Sequence, residues 1–335
     1  MICLHPPMKK ICLVIIGCVT AFTLARAGSF NTHIKKPFAP DTISMADPTI
    51  FFEDGVYYLY GTGSANGFPV YTSKDLVNWS GPVGKREGHA LYKGDSYGTQ
   101  GFWAPQIFKH NSKYYMAYTA NEHIAIAESD SPLGPFIQKK KVAVSGPGKQ
   151  IDPFIFKNTD GKLYLYHVRL QNGNRIFVAR LKDDLSDIDE STTVECINAE
   201  QPWENTANSK WPVVEGPTVV KYNDLYYLLY SANDYRNIDY AVGYATSVSP
   251  LGPWKKFDGN PILSRKNTGQ NGSGHGDLFT GEGGKLYYVH HTHNSNYNTG
   301  KRKTGIVAMS FSTDTPAVIS ADAKTFRFLQ LNSTK

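Results

Sequence analysis

One segment recurs five times in this chain, and few folds can use such a repeat. The copies read ADPTIFFEDGVYYLYGT from Ala46, WAPQIFKHNSKYYMAYT from Trp103, IDPFIFKNTDGKLYLYH from Ile151, EGPTVVKYNDLYYLLYS from Glu215 and HGDLFTGEGGKLYYVHH from His275. Each opens on a small or Pro-containing turn, continues as an apolar strand, reverses at a polar turn and ends in a Tyr-rich strand. The reversals Glu53-Asp54-Gly55, His110-Asn111-Ser112, Thr159-Asp160-Gly161, Tyr222-Asn223-Asp224 and Glu282-Gly283-Gly284 are built from tight-turn residues.

Third strands follow the hairpins. Residues 124–129 precede Ser131-Pro132-Leu133-Gly134-Pro135-Phe136, and residues 242–247 precede the nearly identical Ser249-Pro250-Leu251-Gly252-Pro253-Trp254. Residues 68–73 and 176–181 are looser copies. Helical periodicity is scarce, and short β-rich runs bounded by Gly, Asn, Asp and Pro dominate. Units of roughly 50 to 60 residues with three or four strands each predict an all-β fold, a five-bladed β-propeller. The last blade can be closed by a strand from the N-terminal region or by residues 306–311 of its own unit.

Residues 1–27 read as a signal peptide: Lys9 and Lys10 precede a mostly apolar run over residues 11–24, and Ala25-Arg26-Ala27 offers a cleavage site. Cys18, after Ile15-Ile16-Gly17, offers lipoprotein processing as the alternative. A secreted or periplasmic protein is expected, with residues 28–335 forming a single propeller. No later segment is apolar for long enough to span a membrane as a helix. Cys3, Cys12 and Cys18 fall in the leader, so Cys196 remains alone and a large core, not a disulfide, must stabilise the mature chain. The net charge of +6 is modest and no run of five like charges occurs, which argues against a nucleic-acid partner. Lys139-Lys140-Lys141 reads as a solvated turn. The 13% aromatic content suits a β core and sugar faces alike, and does not separate them.

Three of the five openings carry an acid, Asp47, Asp152 and Glu215, where the second and fifth carry Ala104 and Gly276. Inner strands of a propeller line its axis, so these acids are expected to meet at one mouth of the central channel. Like charges in a partly buried cleft repel, and at least one is driven toward its protonated form. A site holding both an acid and a base at neutral pH suits glycoside hydrolysis. A purely structural turn acid has no reason to skip two blades.

Ala46-Asp47-Pro48, Trp103-Ala104-Pro105, Ile151-Asp152-Pro153 and Glu215-Gly216-Pro217 together resemble glycoside hydrolase family 43, over residues 45–311. That family consists of five-bladed propellers that hydrolyse arabinosyl or xylosyl linkages with inversion. The resemblance implies that Asp47 is the general base, Glu215 the general acid, and Asp152 the group that orients the acid and adjusts its pKa. Gly274-His275-Gly276-Asp277 resembles the family's fifth-blade opening, which implies that His275 lies on the axis near a structural calcium ion. No cofactor is implied for the chemistry itself. Trp103 is a candidate for stacking on a sugar ring, with Phe102 and Trp211 as weaker ones. Arg302, in Lys301-Arg302-Lys303, reads as a surface residue on its own, whereas the resemblance implies a substrate contact. His290, His291 and His293 lack the accompanying Cys or Glu cluster of a zinc site and read as core or cleft-edge residues.

The expected activity is release of a terminal pentose, foremost α-L-arabinofuranose, from arabinose- or xylose-containing plant polysaccharide or oligosaccharide. The lack of a following β-sandwich, which many family xylosidases carry, favours arabinofuranose. β-Xylosidase, endo-arabinanase and galactan-cleaving activities are alternatives. A sugar-binding propeller without catalysis would not need the acids. A retaining, sucrose- or fructan-cleaving relative would show a different first opening from Met45-Ala46-Asp47-Pro48.

Overall fold

The structure, a computed structural model, describes residues 41–144, 146 and 148–332. The leader of residues 1–27 and Cys18 lie outside the described residues. Strands run β1 (Ala46–Glu53), β2 (Val56–Thr62), β3 (Gly67–Pro69), β4 (Tyr71–Ser73), β5 (Asn78–Ser80), β6 (His89–Tyr92), β7 (Trp103–His110), β8 (Lys113–Ala120), β9 (His123–Ser129), β10 (Gln150–Lys157), β11 (Leu163–Leu170), β12 (Asn174–Leu181) and β13 (Ile188–Ile197). They continue as β14 (Val214–Tyr222), β15 (Leu225–Ala232), β16 (Ala241–Ser247), β17 (Lys255–Lys256), β18 (Gly274–Thr280), β19 (Leu286–Thr292), β20 (Lys303–Phe311), β21 (Ile319–Phe328) and β22 (Gln330–Leu331). Five antiparallel sheets form the blades: β1-β2-β4-β5, β7-β8-β9, β10 to β13, β14 to β17 and β18 to β21. The predicted five-bladed propeller is the observed architecture, and each repeated segment is the inner hairpin of one blade.

Five apolar clusters fill the five junctions between blades. Tyr60 and Phe68 meet Met116 and Tyr118 between the first and second blades, and Ile126 meets Leu165 between the second and third. Tyr166 and Val178 meet Leu228 and Tyr230, Tyr227 and Leu229 meet Tyr288 and Val307, and Phe279 and Ile306 meet Ile50 and Leu59. Burial on both sheet faces explains the apolar, Tyr-rich second strands. Tyrosine hydroxyls clasp the next blade: Tyr60 donates to the Pro132 carbonyl (2.5 Å), Tyr166 to Pro250 (2.5 Å) and Tyr227 to Ala317 (2.8 Å).

Two details differ from the sequence reading. Residues 68–73 do not form one third strand: β4 pairs with β2, while β3 leaves the blade to pair with β6. Pro69 ends β3, and a residue without an N–H cannot continue a ladder. The last blade takes β20 and β21 from its own unit, so residues 306–311 belong to its third strand and not to its outermost one. The chain then crosses to the first blade, where β22 pairs parallel with β5. Leu329 is buried there beside Ile43, whose N–H donates to the Leu329 carbonyl (2.9 Å). No helix among the described residues is long and apolar enough to cross a membrane.

Candidate active site

Every inner strand opens with a β-bulge holding one extra residue, between Ala46 and Thr49, Trp103 and Gln106, Ile151 and Phe154, Glu215 and Thr218, and Gly274 and Gly276. One bulge residue in each blade is left-handed: Asp47 (φ 47°), Ala104 (φ 46°), Asp152 (φ 57°), Gly216 (φ 59°) and His275 (φ 40°). Non-glycine residues pay roughly 1–2 kcal/mol for this conformation, and bulges of this kind re-aim side chains at functional sites. The equivalent residue of the fifth blade is therefore His275, not Gly276, and Glu215 stands one place before its bulge residue. Gly216 has a steric reason as well, because a Cβ there would lie 2.7 Å from the His275 ring.

A bulge removes an N–H from the ladder, and a buried N–H must find another acceptor. Here the neighbouring blade supplies it. Ala104 N–H donates to Thr62 Oγ1 (2.9 Å), Asp152 N–H to Thr119 Oγ1 (2.9 Å) and His275 N–H to Ser231 Oγ (2.7 Å). Asp47 N–H donates to His291 Nδ1 (3.2 Å) and Gly216 N–H to Asp152 Oδ2 (3.2 Å). Thr62, Thr119, Ser231 and His291 each end a repeated segment. That shared final polar residue is the signal in the sequence that marks the acceptor for the next blade's bulge.

The three acids and His275 line one cavity of about 380 Å³ at the channel mouth, with Trp103, Asn174, Trp211, Asp234, Tyr235 and Arg302 on its walls. Asp47 Oδ1 accepts from Arg302 Nη1 (3.1 Å) and Oδ2 from the Thr62 hydroxyl (2.7 Å). The Nδ1 atoms of His291 and His275 stand 3.3 and 3.4 Å from Asp47 Oδ1. Burial alone would raise the Asp47 pKa, but the Arg302 guanidinium first, then His275 and His291, outweigh it and hold the group well below the ordinary carboxylate value. Glu215 is the opposite case. Burial, reinforced by the charge of Asp152, pushes it up to about 7. Its Oε1 accepts from the Tyr240 hydroxyl (2.7 Å) and its Oε2 from Asn174 Nδ2 (3.0 Å). Asp152 is also raised by burial, against the pull of His275 Nδ1 3.8 Å away. His275 is raised by its acid neighbours despite its burial. His291, buried and beside Arg302, is pushed down to about 3 and stays neutral.

The remaining predicted residues divide. Trp103 and Trp211 are half-exposed on the cavity wall. Arg302 is not a surface residue: its guanidinium carbon lies 4.5 Å from the Tyr235 ring centre while Nη1 reaches Asp47. Phe102 is a core residue and not a sugar contact, since it is 3% exposed and packs on Phe68 and Tyr118. His290 is buried, and His293 Nε2 lies 2.8 Å from the Tyr235 carbonyl oxygen. Tyr240 and Asn174, which hold Glu215, escaped the sequence reading because they lie in different repeats and carry no motif. Below the acids the channel is lined by Pro48, Pro105, Pro153, Pro217 and Asp277. Both Asp277 oxygens accept from hydroxyls, of Thr49 (2.7 Å) and Thr218 (2.6 Å). Calcium takes about six to eight oxygens, so an ion on this axis beside His275 would draw most of its ligands from water. Among the described residues no group of three His, Cys, Asp or Glu forms a metal-holding cluster.

The chain is similar to known proteins over most of its length. A crystal structure described as an endo-1,4-beta-xylanase from Bacteroides thetaiotaomicron is 42% identical, with a TM-score of 0.80 over 87% of this chain and 98% of that one. A xylosidase/arabinosidase of Butyrivibrio fibrisolvens is 30% identical over 77% of this chain and 50% of its own length, so this chain spans about half of that relative. An extracellular exo-alpha-(1->5)-L-arabinofuranosidase of Cellvibrio japonicus is 24% identical over 75% of this chain and 79% of its own. The sequence model of glycosyl hydrolases family 43 matches residues 34–316, and the chain belongs to that family.

Proposed function

We propose that this protein is an inverting glycoside hydrolase that removes a terminal pentose, first of all α-L-arabinofuranose, from plant polysaccharide side chains. One observation carries the reading: two carboxyl groups in one cavity have environments that push their pKa values apart. Asp47, ionised beside Arg302, takes a proton from the water that attacks the anomeric carbon. Glu215, protonated up to about pH 7, gives its proton to the departing glycosidic oxygen. Asp152 raises the pKa of that acid by its charge and binds the Gly216 N–H of the strand that carries it. Arg302 and Trp103, both on the cavity wall, meet the sugar in this reading by hydrogen bonds and by stacking respectively. A calcium ion near His275 would order the axis, and no chemical step passes through it.

A second reading, internal cleavage of a β-1,4-xylan, is favoured by the likeness to the xylanase structure. The test is hydrolysis of aryl α-L-arabinofuranoside, aryl β-D-xyloside and xylan side by side, with product anomer followed by NMR. The proposal expects a single pentose released with inverted configuration. Asp47→Ala and Glu215→Ala should each lower turnover about 10²–10⁴-fold with the fold intact. Unchanged rates in either variant would remove that residue from the mechanism, and xylo-oligosaccharide products would replace the first reading by the second.

A further inference from the structure

The proposed general acid is reached by a chain of two side chains that begins at the cavity wall. Trp211 Nε1–H donates to Asn174 Oδ1 (3.0 Å), and Asn174 Nδ2 donates to Glu215 Oε2 (3.0 Å). An indole N–H can only donate, so it decides which way the Asn174 amide faces: carbonyl toward Trp211, NH₂ toward Glu215. Trp211 is 48% exposed, yet it is firmly placed. Its backbone N–H donates to Ser209 Oγ (3.1 Å), Ser209 N–H donates to Asn205 Oδ1 (2.8 Å), and the adjacent Pro212 carbonyl accepts from Asn174 N–H (2.9 Å).

The direction of the amide matters for proton transfer. With the NH₂ group against Oε2, Asn174 stabilises the carboxylate that appears as Glu215 gives up its proton, so the bond strengthens along the reaction. A flipped amide would present Oδ1 instead. It would accept the acid's own proton, hold it away from the leaving oxygen and favour the neutral acid. We propose that Trp211 is a positioning residue for the general acid, acting through Asn174 to keep an N–H donor on Glu215 Oε2. The inference rests on the reading of Glu215 as that acid. The other groups facing Glu215 are Tyr240, Asp152 on β10, Asp47 on β1 and His275 on β18, and none of them changes in the variants below.

Trp211→Phe keeps an aromatic ring and removes only the N–H, and Asn174→Ala removes the relay while leaving Trp211 in place. Both are compared with wild type and Glu215→Gln on two pentosides, one with a phenol leaving group that needs protonation and one with 2,4-dinitrophenol that does not. Trp211→Phe should lose about tenfold in kcat on the phenyl substrate and less than about twofold on the dinitrophenyl one. KM should be nearly unchanged, and the alkaline limb of kcat/KM should move up by about half a pH unit. Asn174→Ala should show the same limb shift. Equal loss on both substrates with an unmoved limb would reduce Trp211 to a packing or sugar-binding residue and overturn the proposal. Glu215→Gln separates the two failures: if it too loses activity equally on both leaving groups, Glu215 is not the acid, and the relay falls with it.

Discussion

Asp47 and Glu215 are one functional group in two environments that push it in opposite directions, and the proposed mechanism gives each its own role. Asp47, the proposed base, is ionised throughout the ordinary range, because Arg302 and the histidines outweigh its burial. As the proposed general acid, Glu215 acts only when protonated, so activity should fall as pH rises through about 7. A kcat/KM profile flat from about pH 5 and falling on an alkaline limb near 7 is expected, and an alkaline limb that stays in place when Glu215 is replaced would assign it to another group. Stability carries the same signature. The folded-state pKa of Glu215 lies above its ordinary 4.5, so its contribution is intact below that pH and is lost as pH rises through about 7. Glu215→Gln should match wild type in melting temperature at about pH 4 and exceed it by a few degrees at about pH 8. The acids were legible in the sequence because they sit at repeated openings. Asn174, Tyr240 and Trp211 were much less so, since hydrogen bonds between distant segments leave no local pattern.

At the scale of the strand, the bulge does the positioning. Its left-handed residue carries the Asp47, Asp152 and His275 side chains to the axis, Glu215 reaches it from one place earlier, and the freed N–H is bound by the previous blade. The strand openings were legible from Asp-Pro, Ala-Pro and Gly-Pro pairs, since proline needs no ladder partner and tolerates the irregularity. The fifth blade has no proline there, and this is why its register was misread by one residue: Gly276 substitutes because a Cβ would lie 1.7 Å from the Val289 carbonyl oxygen. Thr62 joins two blades, donating to Asp47 Oδ2 and accepting from Ala104 N–H. Thr62→Val keeps the shape and strands both partners. It should cost about 1–3 kcal/mol in urea unfolding and, with Asp47 as the proposed base, lower turnover by about tenfold by loosening it, whereas Thr62→Ser should restore most of both. Wild-type values for the valine variant would show that water replaces the hydroxyl and that the bond is dispensable.

A propeller becomes one cooperative body only when its last blade meets its first. Four junctions join consecutive segments, while the fifth must join residues far apart in sequence, so its closure entropy is the largest. The repeat in the sequence announced five blades, but not the closure, because residues 329–332 carry no repeat signature. In the structure the closing junction holds Ile43, Met45, Ile50, Leu59, Phe279, Ile306 and Leu329, and β22 extends the first blade. Leu329 is 1% exposed and its backbone bonds both Ile43 and Thr304. Leu329→Ala should therefore cost about 2–5 kcal/mol, the range for a buried leucine. Removal of residues 329–335 takes away the buried side chain, the β22 pairing and these backbone bonds together, and should lower the melting temperature well beyond the single substitution. Asp47 and Arg302 lie on the two sides of this junction, so activity should fall before the other blades melt. Calorimetry with activity followed in parallel would show it. An unchanged melting temperature in the truncated chain would mean that the apolar junction closes the ring unaided and that β22 only decorates it.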